Sequence, residues 1–560
     1  MIRAYRRIQV KNVQRSNDDK IPNKDTGYHR LMRKTRIHAL EVLSPRPSMP
    51  CKLQLGSFFP DITTLCVNSS PSLHLFIFYH HPHRHHHSTP STMAKLFLSL
   101  SLLLLVHGCL AFQQQNECQI QRINAVDPSQ RVESEAGFTE FFDTNDQQFQ
   151  CAGVEVIRHQ IEPQGLLLPS YVNAPILFYV EQGKGFQGMT LPGCPETFEV
   201  SQQQFQGRKG GQSFQDRHQK IQEFRQGDVV AIPAGAAHWI YNNGQDDLVL
   251  IVLLDSTNFA NQLDQNHRRF FLAGNPQEQK QQQGRQQSPR GTRQQGQSLE
   301  ARSNNIFQGF DVDVLAEAFN VDRDTAEMLR CEDDNRGHIV RVERGLQVVS
   351  PSMSREEQWQ GQQGGRGRGQ DNGFEETICS MKVRANIDDY TQADVYNPQA
   401  GHCNHLNSFK LPILQLLQLS AEQGVLYRNA IMGPYWTMNA HNIIYVTNGN
   451  MRMQIVNDEG KAVFDDQIQE RQLVVVPQNF AVVKQAGEQG CRWISFRTND
   501  NAMINTLAGQ TSAIRALPVD VLTNAYQIPR EEAQKLKYNR EETVMFSPGS
   551  FSSRGRAPRA

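Results

Sequence analysis

From Cys151 onward the chain alternates short apolar runs with breaks rich in Gly and Pro: VEVIRHQI, ILFYVEQGKGFQG, DVVAIPAGAAHWIYNNG and DLVLIVLLD. Runs of this length bounded by turn residues predict β-strands, and their close spacing predicts an all-β barrel or sandwich. A second set begins after Asn407 with IIYVTNGNMRMQIV, LVVVPQNFAVVKQAG and RWISF. The sets align. Asn173–Gly183 lies over Asn439–Gly449 at a shift of 266 residues, and the VVAIP ending at Pro233 lies over the LVVVP ending at Pro477 at a shift of 244. A third pair, Phe310–Leu329 and Leu517–Leu536, matches without a gap at a shift of 207 and shares Asp313/Asp520, Val314/Val521, Arg323/Arg530 and Leu329/Leu536. Within each, apolar residues recur at helical spacing on both sides of a break, so each predicts a helix, a turn and a second helix. A barrel followed by a helical hairpin, present twice, is one domain duplicated.

The falling shift locates the differences between the copies. The first carries 22 extra residues (266 − 244) before Pro233 and 37 more (244 − 207) before its helices. These intervals contain residues 201–219 and 275–297, both polar and of low complexity, with no apolar face to bury; they predict mobile surface loops.

Upstream of the repeats the pattern changes. Residues 1–92 are basic, lack sustained periodicity and end in YHHPHRHHH (Tyr79–His87), which reads as an unstructured stretch more readily than as a metal site. Met93 then opens AKLFLSLSLLLLVHGCLAFQQQ, in which Lys95 is the charged start, Leu96–Val106 the apolar run, and Cys109 and Ala111 the small residues of a signal-peptidase site. The apolar run is too short for an ordinary spanning helix. The expected organisation is therefore a spurious upstream extension over 1–92, a signal peptide over 93–111 cleaved between Ala111 and Phe112, and a mature chain without a membrane segment.

Charge follows the same divisions. Lys+Arg against Asp+Glu is 15 and 5 for residues 1–111, 24 and 34 for 112–372, and 18 and 18 for 373–560, so the zero net charge of the whole chain hides segments of +10, −10 and 0. Without its leader the chain has no basic surface, and its Arg-rich tracts lack the interleaved aromatics of a stacking platform, which excludes a nucleic-acid partner. Seven cysteines follow the leader: Cys118, Cys151, Cys194, Cys331, Cys379, Cys403 and Cys491. The odd number leaves at least one thiol unpaired, and spacing alone assigns no bridge.

Candidate chemistry centres on Gly227–Asn242, GDVVAIPAGAAHWIYN, which fits GxxxxxPxGxxHxxxN through Gly227, Pro233, Gly235, His238 and Asn242. This resembles the second motif of the cupin barrel, in which the His is a metal ligand. The first cupin motif should add two His and a Glu. With its final Gly at Gly185 the ligand positions hold Tyr171, Asn173 and Phe178; with that Gly at Gly183 they hold Pro169, Tyr171 and Ile176. The second repeat offers Tyr435, Thr437, Asn442 and Val482. One imidazole cannot hold a divalent ion, so no metal and no cofactor are expected there, and His238 reads as a structural histidine at a barrel mouth. The cluster His402, Cys403, Asn404 and His405 has suitable ligand types at cramped spacing and reads as a solvated loop. No nucleophile elbow or phosphate-cradling Gly loop is present, so catalytic residues are expected to be absent.

The remaining landmark is DNGFEETICS (Asp371–Ser380), which follows the Gly/Arg/Gln run at 360–370. Asn372–Gly373, just past a tract that cannot pack, has the character of a proteolytic processing point. The stretch NGFEETICSMKVRANID resembles the acidic/basic chain junction of the 11S seed globulins (legumins and cruciferins), and that resemblance covers residues 116 to about 545. It implies an all-β dominated bicupin: two β-barrel (jelly-roll) domains, each followed by a helical hairpin, over 112–350 and 373–560, joined by a processed linker at 351–372. It further implies disulfides Cys118–Cys151 and Cys194–Cys379, with Cys331, Cys403 and Cys491 left as reduced, buried small residues. Asparaginyl endopeptidase cleavage between Asn372 and Gly373, and assembly as a homo- or hetero-trimer and then a hexamer with other 11S subunits, follow from the same resemblance. So does passage through the endoplasmic reticulum to the protein storage vacuole. Gln makes up about a tenth of the chain, against a few per cent in average usage, which suits a nitrogen and carbon reserve. The rival readings are a metal-dependent cupin enzyme, a cupin holding a small ligand in its barrel, and a 7S vicilin-type storage protein.

Overall fold

Two antiparallel sheets form the first barrel. One runs in the order Ile221–Arg225, Lys184–Thr190, Ala237–Tyr241, Gly165–Val172, Arg269–Phe271, with Ile339–Arg341 also on Gly165–Val172. The other runs Arg384–Asn386, Asp228–Ile232, Ile176–Gln182, Leu248–Asp255, Val154–Ile161, Gly137–Phe141, Gln130–Ser134. Leu248–Asp255 is buried throughout, which is why it reads as a continuous apolar run rather than as alternation; Val154–Ile161 is buried almost throughout although it carries Glu155, Arg158 and His159. One face of that sheet, with Ile157, Ile161, Phe178 and Leu250, fills the barrel. The opposite face carries Val156, Leu177, Tyr179 and Ile251 against Ile443, Tyr445, Val475 and Phe496 of the second barrel, so the two barrels share one apolar core.

The second barrel is a single sheet because two long strands, Asn442–Val456 and Ala481–Arg497, bend through both of its layers. The first barrel breaks the corresponding course at Gly183. Gly183 and Gly449, aligned by the 266-residue shift, both have left-handed backbone, φ 87° and 75°. A Cβ at Gly449 would lie 2.3 Å from the carbonyl oxygen of Gly490, so only glycine fits that corner.

Each barrel is followed by its helical hairpin: Val312–Phe319 and Arg323–Arg330, then Val519–Tyr526 and Arg530–Tyr538. Asp311 and Asp322 cap the first pair by accepting backbone N–H bonds, while Pro518 and Pro529 open the second. Both pairs turn through a left-handed residue, Asn320 or Gln527, and both brace the turn with one ion pair, Arg323–Asp313 at 2.5 Å and Arg530–Asp520 at 2.6 Å.

The barrels also exchange segments. Val126 exchanges backbone hydrogen bonds of 2.9 and 3.0 Å with Leu473, and Ile120 and Ile123 are buried in the core of the second barrel. Arg384–Asn386, which follows the Asn372–Gly373 junction, pairs with Asp228–Val230 in the first barrel. Chain connectivity and spatial neighbourhood thus part company at both ends of the acidic segment.

The computed structural model describes residues 118, 120–196, 198–199, 217–264, 266–274, 305–331, 333–346, 348 and 378–548. It also describes a small separate sheet of Lys52–Leu53, Leu65–Cys66 and Phe76–Ile77. The Ala111–Phe112 and Asn372–Gly373 sites, the linker 351–372, residues 201–216 of the first insertion and all of 275–297 lie outside the described residues.

Candidate functional site

The cupin-like motif builds corners. Gly227 (φ 84°) donates its N–H to the Val180 carbonyl at 2.9 Å, and Gly235 (φ 77°) donates to the Val172 carbonyl at 2.8 Å. Pro233 supplies the carbonyl that Ala236 N–H reaches at 3.2 Å. Asn242 is fully buried; its Nδ2 donates to the carbonyls of Ile161 and Asp246 at 2.8 and 2.9 Å, and its Oδ1 accepts from Gly244 N–H at 2.8 Å. Four of the five motif positions are therefore accounted for by turn geometry alone.

His238 lies on Ala237–Tyr241, buried, with Nδ1 3.1 Å from the Ala236 carbonyl. Directly across the ladder stands Ser170, and Tyr171, one residue on, belongs to the other face, where it stacks on Phe270 at 4.9 Å. Asn173 is tied to Asn261 and the Asn266 carbonyl, and Phe178 packs edge-on against Phe224 in the barrel core. In the second repeat Tyr435 pairs with Val482, and both are buried apolar contacts. No carboxylate or second imidazole occupies any of these positions.

The first barrel does hold imidazoles that the motif did not indicate. Thr139 Oγ1 lies 2.8 Å from His159 Nδ1 and 2.6 Å from His338 Nε2, so one hydroxyl serves two buried rings, donating to one and accepting from the other. Arg269 reaches Ser170 Oγ at 3.1 Å. Burial pushes His159 well below its ordinary value, with the Arg269 guanidinium adding to it; burial and then Arg269 likewise hold His238 down at about 4. His159 and His238 are therefore neutral hydrogen-bonding elements of the core at neutral pH.

The second barrel encloses a charged network. Glu422, fully buried, receives the Arg497 guanidinium on Oε2, and Lys484 Nζ lies 3.8 Å from Oε1, where Trp493 Nε1 also donates at 3.3 Å. His405 Nε2 is 3.0 Å from Oε2. Lys484 Nζ sits 4.3 Å from the Trp493 ring centre, and no hydrogen-bond acceptor reaches it. Burial by itself would raise the Glu422 carboxyl, but Arg497, His405 and Lys484 together hold it well below the usual carboxylate range. Burial would likewise lower His405; Cys403, Asp394 and Glu422 around it hold it well above the usual imidazole value instead.

Two expectations are corrected here. His402–His405 is not a solvated loop but the inner part of the strand Gly401–Leu406, paired on both sides and largely buried, with Asn404 Nδ2 donating to the Ile387 and Asp389 carbonyls and His405 facing Glu422. Cys331 is not a buried residue: it ends the helix Arg323–Arg330 in left-handed conformation (φ 49°) and is half-buried. Cys403 and Cys491 are buried and unbridged. The structure joins Cys118 to Cys151 and Cys194 to Cys379.

Glu422, Lys484, Arg497 and the His159–Thr139–His338 group were missed in the sequence. For all but His338, which precedes the strand Ile339–Arg341, the signal was there: each stands on a period-two strand, as Lys484 does between Val482 and Ala486.

The chain matches the Cupin family over residues 123–278 and 386–534. It is 50% identical over 493 residues to an 11S globulin seed storage protein of Carya illinoinensis, covering 82% of this chain and 98% of that one. Among solved structures it resembles the coconut allergen cocosin (46% identity, 77% of this chain and all of that one, TM-score 0.65). Pumpkin seed globulin is similar at 43% identity with the same coverage and a TM-score of 0.66.

Proposed function

The chain belongs to the 11S globulins of the cupin superfamily, and from that membership we propose that it is a nitrogen and carbon reserve of the seed rather than an enzyme. The observation that carries this reading is the state of the barrels: apart from His238 the cupin ligand positions hold no imidazole or carboxylate, and the rest of the motif is used to build turns. A metal-dependent cupin enzyme needs those ligands, and its reading fails on them.

In this proposal residues 93–111 direct the chain into the endoplasmic reticulum, and the mature protein begins at Phe112. An asparaginyl endopeptidase cuts between Asn372 and Gly373, and Cys194–Cys379 keeps the acidic and basic chains together in the storage vacuole. Trimers form first and pair into hexamers after the cut. Support for a ring comes from the helical hairpins, whose aligned apolar residues Phe310/Leu517, Val314/Val521 and Phe319/Tyr526 are all exposed in the single chain. Two related apolar surfaces on one subunit, one from each repeat, are what a closed head-to-tail ring covers. The protein is released by proteolysis at germination, and the likeness to a coconut allergen extends the proposal to allergenicity.

Immunogold labelling of maturing seed tests the placement. Label within protein storage vacuoles, with extracted protein running as one band without reductant and two with it, is the expected result. Label confined to the cytosol, or an uncut chain in mature seed, overturns the reading.

A further inference from the structure

Along Gly401–Leu406 the two-residue period of a strand sends Cys403 and His405 to one face. The ladder places Glu422 directly opposite His405. Cys403 Sγ is 3.8 Å from His405 Nε2, Nε2 is 3.0 Å from Glu422 Oε2, and the three donor atoms lie within 4.8 Å of one another. Ligands held at about 2.0–2.3 Å around a tetrahedral ion are roughly 3.3–3.8 Å apart, so this spacing needs only a small closure to receive one.

The surroundings add independent support. The other ring nitrogen, His405 Nδ1, faces Asp394 Oδ2 at 3.4 Å. Asp394 is itself fixed by Lys410 Nζ at 2.7 Å and by the backbone N–H of His405 at 2.6 Å. A carboxylate behind the imidazole is the arrangement that orients a metal-binding histidine. Cys403 and Glu422 are fully buried while the His405 side chain is 25% exposed, so an ion has a way in past the ring.

We propose that Cys403 Sγ, His405 Nε2 and Glu422 Oε2 bind one divalent cation of the zinc type, with a fourth position left for water. A thiolate, an imidazole and a carboxylate form a donor set that zinc accepts and that magnesium and calcium do not favour. Glu422 Oε2 also receives the Arg497 guanidinium, and Lys484 Nζ lies 3.8 Å from Oε1, so both cations oppose any uncompensated positive charge. Compensation is available. With both ring nitrogens facing carboxylates, the empty site carries a proton on His405 Nε2 and another on Cys403 Sγ; the dication replaces both, the two protons leave to solvent, and the charge of the barrel is unchanged. The site stands apart from the storage reading and from the cupin motif around His238.

Chelator-treated protein loaded with Co2+ or Zn2+ tests this. Expected are one Zn2+ per subunit retained through gel filtration and, in the Co2+ form, a thiolate-to-cobalt charge-transfer absorption that the imidazoles of residues 80–87 cannot produce. Cys403→Ser should abolish the absorption and lower Zn2+ affinity at least ten-fold. Asp394→Asn should weaken binding by about ten-fold through the orientation of His405. Cys491→Ser and Cys331→Ser should leave both readouts unchanged. Absence of the thiolate absorption in Co2+-treated wild-type protein, where no variant's folding is in question, overturns the proposal, as does equal Zn2+ retention by folded Cys403→Ser.

Discussion

Replacing Glu422 by Gln removes the one negative charge shared by Arg497, Lys484 and His405 while nearly preserving side-chain volume. Glu422 and Lys484 are fully buried and Arg497 is 3% exposed, so the cations left behind have no water to turn to. Breaking a buried pair from one side in this way costs about 3–5 kcal/mol. The second barrel and its hairpin are of a size at which each kcal/mol moves Tm by roughly 2–4 °C, giving a fall of roughly 6–20 °C. Lys484→Met should behave differently. Its Nζ has no hydrogen-bond acceptor, and Glu422 keeps Arg497 and His405, so an apolar chain of similar length should come within about 1 kcal/mol of wild type or exceed it. The double variant should recover part of the Glu422→Gln loss, because one of the orphaned charges is gone. Scanning calorimetry of chelator-treated protein, with Trp493 fluorescence as a local probe, measures all three. A Glu422→Gln protein within about 1 kcal/mol of wild type, roughly 2–4 °C in Tm, would refute the network as described.

Further outcomes follow from other parts of the molecule. His238, held at about 4 by burial and Arg269 against an ordinary 6.5, contributes stability that is complete above about pH 6.5 and is lost as pH falls through 4. That displacement is worth about 3 kcal/mol, so His238→Asn should flatten the acid limb of urea midpoints measured between pH 7 and 4. Glu181 has the opposite sign: burial outweighs Arg158 and raises it to about 7, so its contribution is complete below about pH 4.5 and is lost as pH rises through 7. Glu181→Gln should flatten the neutral limb, and an unchanged profile in either variant would contradict its assignment. Because Val126 pairs with Leu473 and Arg384–Asn386 with Asp228–Val230, processed protein reduced under native conditions should elute as a single species; separation into two chains would contradict the exchange of segments. Asn372→Gln should fold and form trimers that do not pair, and uncut protein forming hexamers as readily as the cut form in sedimentation would reduce the cleavage to trimming.

The strands and the duplication were legible because Gly and Pro mark their ends and because buried runs such as DLVLIVLLD leave no polar face to confuse the pattern. The corner built by Gly227, Pro233, Gly235 and Asn242 was legible for a related reason: left-handed backbone and a buried amide are local demands that residue type announces. The charged centre of the second barrel was not. Glu422 comes from Ser420–Leu426, while Lys484 and Arg497 lie near the two ends of the long strand Ala481–Arg497, and each alone looks like an ordinary polar position of a strand. His402–His405 was misread for the same reason, since its partners Asp394 and Glu422 become visible only when three strands are laid side by side. The exchanged segments were hidden too, because they are short and their pairing depends on where the two barrels meet.

The central claim, that this chain is a reserve and not a catalyst, is tested most directly by its fate at germination. Quantitative mass spectrometry of peptides from both chains, in seed tissue from maturation through seedling establishment, gives that fate. Accumulation during maturation, cleavage at Asn372–Gly373 before dormancy, and depletion of both chains as free amino nitrogen rises are the expected results. A level that stays constant through seedling establishment while other seed protein is consumed would contradict the claim.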